Sequence, residues 1–304
     1  MHTQAMMTAR ADRTLMGVSC IVTIVGDNAA IIAHKCLDYV SQLERLWSRF
    51  DVNSDISRLN NSNGQPMWVD KKTAQLLRHV LVAHSATDGL FNPTLLPLQI
   101  AEGDVFSLTD NGRSKISELS RPYTDLALIE FFDDGRIAIP IDMSLDMGGV
   151  AKGFAADVTV QFAQSLGAVG VCVNIGGDMA MNTGDSPGWD VQIASPRNYN
   201  HILDTVRIAI GGVATSSLFA RSRNSKGIPS HLFDKSGACR TDKIVGATVI
   251  ANSSAWAEVW TKFAIISEPA QAISTLNDLG LAAMLVASDE STLRTETWEN
   301  FTHE

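Results

Sequence analysis

The sequence predicts an α+β fold: a single domain over residues 1–304, built on a mixed sheet. Three observations lead there. Strand-like and helix-like stretches alternate loosely along the chain, without the steady βαβ repeat of a parallel sheet. No linker long or soft enough to separate two domains is present, and no internal repeat. Hydrophobic residues make up 45% of the chain and charged residues 19%, a globular balance able to fill one large core.

Residues 1–14 are expected to be a disordered N-terminus. The run from Cys20 to Val25 reads as a strand, and AAIIAHKCLDYVSQLERLWSRF as an amphipathic helix with apolar residues at three- and four-residue steps. DVNSDISRLNNSNGQP follows as a polar loop rich in Asp, Asn and Ser. KKTAQLLRHVLVAHSATDG predicts a second helix that stops at its DG, and FNPTLLPLQIAEGD an irregular stretch broken by proline. Residues 104–122 are polar and suit a mobile insertion. LALIEFF and GRIAIPI predict a hairpin around Asp133, Asp134 and Gly135. A helix then runs from GVAKGFAAD to about Gly167. VGVCVNIGGDMAMNT, WDVQIAS, TVRIAIGGVATSS and VGATVIANS look like successive strands. AWAEVWTKFAIIS and PAQAISTLNDLG read as helices, and AAMLVAS as a closing strand.

Charge and cysteine use exclude several function classes. A formal net charge of −9 without a basic run makes nucleic acid and anionic membrane poor partners. No run of eighteen apolar residues predicts a spanning helix. The N-terminus lacks an uninterrupted apolar core ending in a small-residue cleavage site, so the expected location is the cytoplasm. Cys20, Cys36, Cys172 and Cys239 show no CxxC spacing, so neither a zinc site nor a disulfide framework is signalled.

The stretch LDMGGVAKGFAAD, residues 145–157, concentrates charge and glycine at a helix entry. Glycines there let backbone N–H groups approach a ligand, and a helix N-terminus favours anionic oxygen. The stretch is neither GxGxxG nor a P-loop, and its ordinary reading is a tight turn with one solvated lysine. NIGGDMAMNTG adds a strand ending in two glycines and an acid, and GGVATSSLFAR a run of hydroxyls at Thr215, Ser216 and Ser217. HLFDKSG puts His231 three residues before Asp234, and AEVWTKFA puts Glu258 four residues before Lys262 on one helical face. Taken singly, each has a plain structural reading; Glu258 and Lys262 alone would be an ordinary helix pair contributing a few tenths of a kcal/mol.

Their order is more specific. MG, SRFDVNSDISRLN, DGLFNPT, LDMGGVAKGFAAD, NIGGDM, ATSS, HLFD and AEVWTKFA together resemble the ApbE family, the FAD:protein FMN transferases. The resemblance runs from about Met16 to Ala287, and SRFDVNSDISRLN, LDMGGVAKG and NIGGDM are its most specific pieces. It implies an ApbE-type, T-fold-like domain that uses FAD as a substrate. Such enzymes transfer the FMN half to a Thr or Ser hydroxyl of an acceptor flavoprotein and release AMP. Displacement at phosphorus needs the pyrophosphate held in line and its charge neutralised, in this family by Mg²⁺.

Carried over residue by residue, the resemblance gives the metal the Gly149 carbonyl and the late-helix positions Glu258, Thr261 and Lys262. Asp146 and Lys152 match FAD contacts, Lys152 being suited to the pyrophosphate. Met16 and Phe50 match apolar positions that pack on the flavin nucleotide, and Leu90, Phe91 and Asn92 match the segment lining the same pocket. Leu232 matches a further FAD contact, and His231 is the candidate base for the acceptor hydroxyl. The chain departs from the pattern where Glu258 replaces the usual Asp and Lys262 the usual Thr. TSS stands for TSG, and Lys235 follows Asp234 where proline is usual. A protonated lysine cannot ligate a metal, and its ammonium would occupy part of the cation's space and charge. Two alternatives stay open at this point: FAD hydrolysis to FMN and AMP, and FAD binding without catalysis.

Overall fold

In the computed structural model, residues 7–107, 112–184, 187–219, 232–233 and 243–302 are described. The chain opens with a hairpin of β1 (Thr8–Leu15) and β2 (Val18–Val25), turned by Met16 and Gly17 at positive φ. Residues 8–14 are therefore strand, not the disordered segment expected, because an eight-residue ladder with β2 holds them and Ala11 is buried. Residues 1–6 lie outside the described residues.

Helix α1 (Ala29–Trp47) buries Ile32, Ala33, Cys36, Leu37, Val40 and Leu43, the stripe that its three- and four-residue spacing dictates. The expected polar loop after it contains a short helix, α2 (Asp55–Asn60). The Ser54 side chain caps it by accepting from Ser57 N–H at 3.0 Å, and Ile56 and Leu59 fill its buried face. Six residues carry too little periodicity to announce a helix, so the Asp/Asn/Ser composition misleads. Next come β3 (Met67–Trp68) and α3 (Lys71–Ala86), the latter capped by Asp70. Helix α4 (Leu96–Ala101), opened by Pro97, lies within the stretch expected to be irregular. The predicted hairpin is β4 (Glu130–Phe131) with β5 (Arg136–Ala138), and β3 joins it as a third strand.

Helix α5 (Ala151–Ser165) begins inside the glycine-rich motif. Beyond it lie β6 (Gly170–Ile175), β7 (Asp178–Asn182), β8 (Trp189–Ala194), β9 (Ile202–Ile208), β10 (Ile210–Ser217) and β11 (Ile244–Ala251). Helices α6 (Ser254–Ile266) and α7 (Pro269–Asp278) and strands β12 (Ala282–Ala287) and β13 (Thr292–Arg294) complete the chain. The main sheet has eight strands in the order β1-β2-β6-β7-β10-β11-β12-β13. The α+β domain expected from the sequence is present, but the sheet is not the mixed one expected. Its described strand pairings are all antiparallel, because tight turns such as β1–β2 and β6–β7 join neighbouring strands directly.

Alternation along the strands gives the sheet two apolar faces. Val171, Val173 and Ile175 of β6 join the core under α1 and α5, while Cys172 between them joins the opposite cluster. That second cluster contains Val191, Ile193, Val206 and Ile208 of the β8–β9 ribbon, together with the fully buried Trp298. Helix α6 packs on β10 and β11 beside α5, buried almost all round. Burying a residue such as Phe263 contributes about 1.5–3 kcal/mol.

Two helices are locked end to side. The Asp157 carboxylate on α5 accepts from the N–H groups of Ser254 and Ala255, at 2.8 and 2.9 Å, and so caps α6. Burial pushes its carboxyl up to about 6, although these two N–H donors work against that shift. Between about pH 4 and pH 6 the folded protein thus keeps a proton that the unfolded chain has lost. The contribution of Asp157 to stability therefore falls as pH rises through this window. Asp157→Asn removes the group, so wild type should lose stability relative to the variant from about pH 4 to 6, and no further above it. Urea unfolding at several pH values checks this; parallel curves would refute it.

Candidate active site

The predicted helix entry forms as expected, with α5 starting at Ala151 immediately after the LDMGG approach. That approach is anchored by the SRFDVNSDISRLN motif from below. The Asn60 side chain donates to Leu145 C=O at 2.9 Å and accepts from Leu145 N–H at 2.8 Å. The Asp55 carboxylate accepts from Asp70 N–H and the Thr73 hydroxyl, tying α2 to α3. This buried network fixes where the turn sits.

Above the turn lies a cleft of about 220 Å³. Gly17 and Val18, Leu90 to Pro93, Asp146, Gly148, Gly149, Lys152, Gly176, Asp178, Thr215 to Ser217, Leu232, Phe233 and Lys262 line it. The two glycines of NIGGDM make the β6–β7 turn with φ of 64° and 96°, a left-handed pair that glycine adopts freely. Turn and site are the same feature here, since Gly176 faces the cleft and Asp178 follows at once. A second cavity of about 930 Å³ adjoins the first through Leu90, Asn92, Leu95 and Phe233.

Four charged side chains make the floor. Lys152 Nζ donates to Glu258 Oε1 at 2.6 Å, and Lys262 Nζ donates to the same oxygen at 3.0 Å. Lys152 also pairs with Asp178 Oδ2, and Gly153 N–H donates to Glu258 Oε2 at 2.8 Å. Glu258 is fully buried behind the two lysines, whose side chains keep 13% and 12% exposure toward the cleft. Burial pushes the Glu258 carboxyl up, but the two ammonium groups and the Gly153 N–H outweigh it and hold it down to about 2. Asp178 goes the other way, to about 6, raised by burial and by the Glu258 charge against the pull of Lys152. Its Oδ1 has no hydrogen-bond partner among the described residues. Burial lowers the Lys262 ammonium from its usual range, while the Glu258 carboxylate opposes that shift.

The expected site residues divide into four groups. Leu90, Phe91, Asn92, Asp146, Gly149, Lys152, Leu232 and Lys262 come together on the cleft. Glu258 and Thr261 lie behind it, both fully buried. The Thr261 hydroxyl donates to Glu258 C=O at 2.8 Å and accepts from Ser216 Oγ at 2.7 Å, so it links α6 to β10. Met16 and Phe50 do not line the cleft. Met16 holds the β1–β2 turn beside it through an N–H bond to Glu44 Oε1. The Phe50 ring lies under the Arg49 guanidinium at 4.6 Å, and Arg49 Nε stands 3.5 Å from Asp146 Oδ1. Phe50 thus reaches the site through Arg49, which also pairs with Asp104. His231 and Asp234 lie outside the described residues. Sequence reasoning missed Arg49 and the pairing role of Asp178; the acid in NIGGDM was its only signal.

The sequence pattern of the ApbE family matches residues 16–285. The chain belongs to the ApbE family. An FAD:protein FMN transferase from Klebsiella pneumoniae is 25% identical over 301 residues, covering 93% of this chain and 85% of that protein. An ApbE protein from Thermotoga maritima superposes with a TM-score of 0.86 at 21% identity, covering 98% of this chain and 100% of that one. The apo flavinyl transferase ApbE of Pseudomonas stutzeri gives 0.80 at 20% identity, with 99% of each chain covered. The two structures share this fold.

The donor set does not suit the Mg²⁺ expected from the resemblance. Mg²⁺ requires near-octahedral oxygen ligands at about 2.0–2.1 Å. Here both Glu258 oxygens are engaged, and the Thr261 hydroxyl is spent on Ser216 and the helix backbone. Lys262 presents N–H donors where an acceptor is required. A divalent ion about 4 Å from one ammonium would be repelled by roughly 8 kcal/mol at an effective dielectric of 20. No group of three or more His, Cys, Asp or Glu able to hold a metal occurs among the described residues.

Gly153 is what lets α6 come this close. A Cβ there would stand 2.5 Å from Ser254 C=O, a backbone atom that cannot rotate away. Gly153→Ala should therefore push α6 outward, stretch the Gly153–Glu258 bond and lower stability by about 1–3 kcal/mol. Urea unfolding checks it, and an unchanged midpoint would show that the two helices separate freely.

Proposed function

We propose that this chain is an FAD:protein FMN transferase. It carries the FMN moiety of FAD to a Thr or Ser hydroxyl of an acceptor flavoprotein and releases AMP. The observation that supports it most directly is the cleft floor: two ammonium groups at the N-terminal end of α5, beneath a glycine turn. This is a setting for a pyrophosphate. The adjoining cavity gives room beyond a mononucleotide.

In this reading Lys152 and Lys262 hold the pyrophosphate, and the Gly148–Gly149 turn, whose Gly148 N–H is held by Asp146 Oδ1, borders it at the helix entry. Arg49 steadies Asp146 at the cleft wall, and Leu90, Phe91, Asn92 and Leu232 exclude water around the flavin nucleotide. His231 would take the proton of the acceptor hydroxyl. Mg²⁺, where the family uses it, supplies a cation that offsets pyrophosphate charge; the residues here do not suit it, and no step is routed through it.

FAD should bind more tightly than FMN, because the AMP half also finds a site; calorimetry with both ligands checks this, and equal affinities would leave a general flavin binder. Co-expression with candidate acceptor flavoproteins should add one FMN mass to a Thr or Ser peptide by mass spectrometry. AMP release with no acceptor adduct would identify FAD hydrolysis instead. Lys152→Ala should weaken FAD binding by about 1.5–3 kcal/mol through the lost charge-assisted contact. Unchanged affinity in a folded variant would confine Lys152 to holding Glu258 and Asp178.

A further inference from the structure

We infer that the Lys262 ammonium is this chain's built-in replacement for a divalent cation, so that FAD is bound and cleaved without a metal. The inference rests on the FAD reading above for its substrate, but its metal component stands on geometry alone.

Lys262 lies on the cleft wall with Glu258 directly behind it, one helical turn away on α6. A cation placed to serve both the cleft and the Glu258 carboxylate would have to sit where Nζ already sits, 3.0 Å from Oε1. The carboxylate is not free to turn toward another position. Its second oxygen is held by Gly153 N–H, and Lys152 donates to the first. Lys152 in turn is held by Asp178. Two ammonium groups offset two carboxylates, so the floor is close to neutral before any ligand arrives. A metal-dependent site needs the opposite: a surplus of acceptor oxygens that attracts the ion.

The same geometry serves the reaction. The acceptor hydroxyl oxygen forms a bond to the phosphorus of the FMN half, and the bond from that phosphorus to the bridging oxygen breaks. The electron pair departs with the bridging oxygen on AMP, and the hydroxyl proton is released. One unit of negative charge is added to the leaving phosphate as this happens. Lys262 has three N–H donors, of which Glu258 engages one, so donors remain to face that charge. Its position is fixed by a buried partner, so little reorganisation is needed when the charge develops.

The first test needs no flavin: Mg²⁺ and Mn²⁺ titrated into the ligand-free protein by calorimetry. Wild type should give no saturable binding. Lys262→Thr, which removes the ammonium, takes away one of the two donors on Glu258 Oε1 and leaves the floor with a surplus negative charge, should gain a site. Saturable binding to wild type at millimolar or lower concentration, or no gain in Lys262→Thr while circular dichroism shows it folded, would overturn the inference. The second test measures FAD affinity in EDTA and in Mg²⁺. Wild type should differ less than about twofold between the two. Lys262→Met should lose roughly 10- to 100-fold in EDTA, the size of one charge-assisted contact. FAD binding or AMP release by wild type that disappears in EDTA and returns with Mg²⁺ would also overturn it. Failure to bind FAD under both conditions would instead remove the flavin reading, and the metal titration would still decide the role of Lys262.

Discussion

The Glu258 carboxylate is the point on which the site converges. It is fully buried, and a buried charge survives only when paired and hydrogen-bonded. Its three partners come from two helices: Lys152 and Gly153 N–H from α5, and Lys262 from its own α6. The pairing therefore does more than neutralise a charge. It sets the distance between the two helices and fixes both ammonium groups at the edge of the cleft. Asp157 adds a second tie between the same helices by capping α6, so the α5–α6 contact is specified at two heights.

Around this centre the polar residues of the sequence divide the labour. Asn60 and Asp55 never reach the cleft; they bind backbone and hydroxyl groups that hold the glycine-rich approach in place. Ser216 and Thr261 join β10 to α6 behind the floor. Arg49 reaches from the end of α1 to both Asp104 and Asp146, with Phe50 beneath it. A family-specific motif can thus consist mostly of supports, with a minority of its residues touching the cleft.

Asp178 shows how the balance is struck. It shares Lys152 with Glu258, yet the two carboxyls move in opposite directions, Glu258 down and Asp178 up to about 6. The difference follows from partners. Glu258 has two ammonium groups and a backbone N–H on its oxygens, whereas Asp178 pairs with Lys152 alone and keeps Oδ1 unpartnered among the described residues. The floor is close to neutral, but its two ammonium groups line the cleft while Glu258 is buried behind them, which suits an anionic ligand.

By itself the sequence determined the α+β class, the long helices α1, α3, α5 and α6, and most strands of the main sheet. These are local properties: apolar spacing and turn residues act over a few positions, and they survive without knowledge of the fold. It also determined which motifs meet, because LDMGGVAKG, NIGGDM and AEVWTKFA resemble one family in order. Tertiary structure decided the rest. Strand β1 is mostly exposed and polar, so only its partner β2 makes it a strand. Helix α2 is too short for periodicity and depends on Ser54 and its buried contacts. In the sequence Glu258 and Lys262 are an ordinary pair one helical turn apart; Lys152, more than a hundred positions away, turns that pair into a charged floor. Spacing along a chain cannot report such a contact, because ion pairing between elements depends on how the helices pack, and that is set by Gly153 and the sheet beneath them.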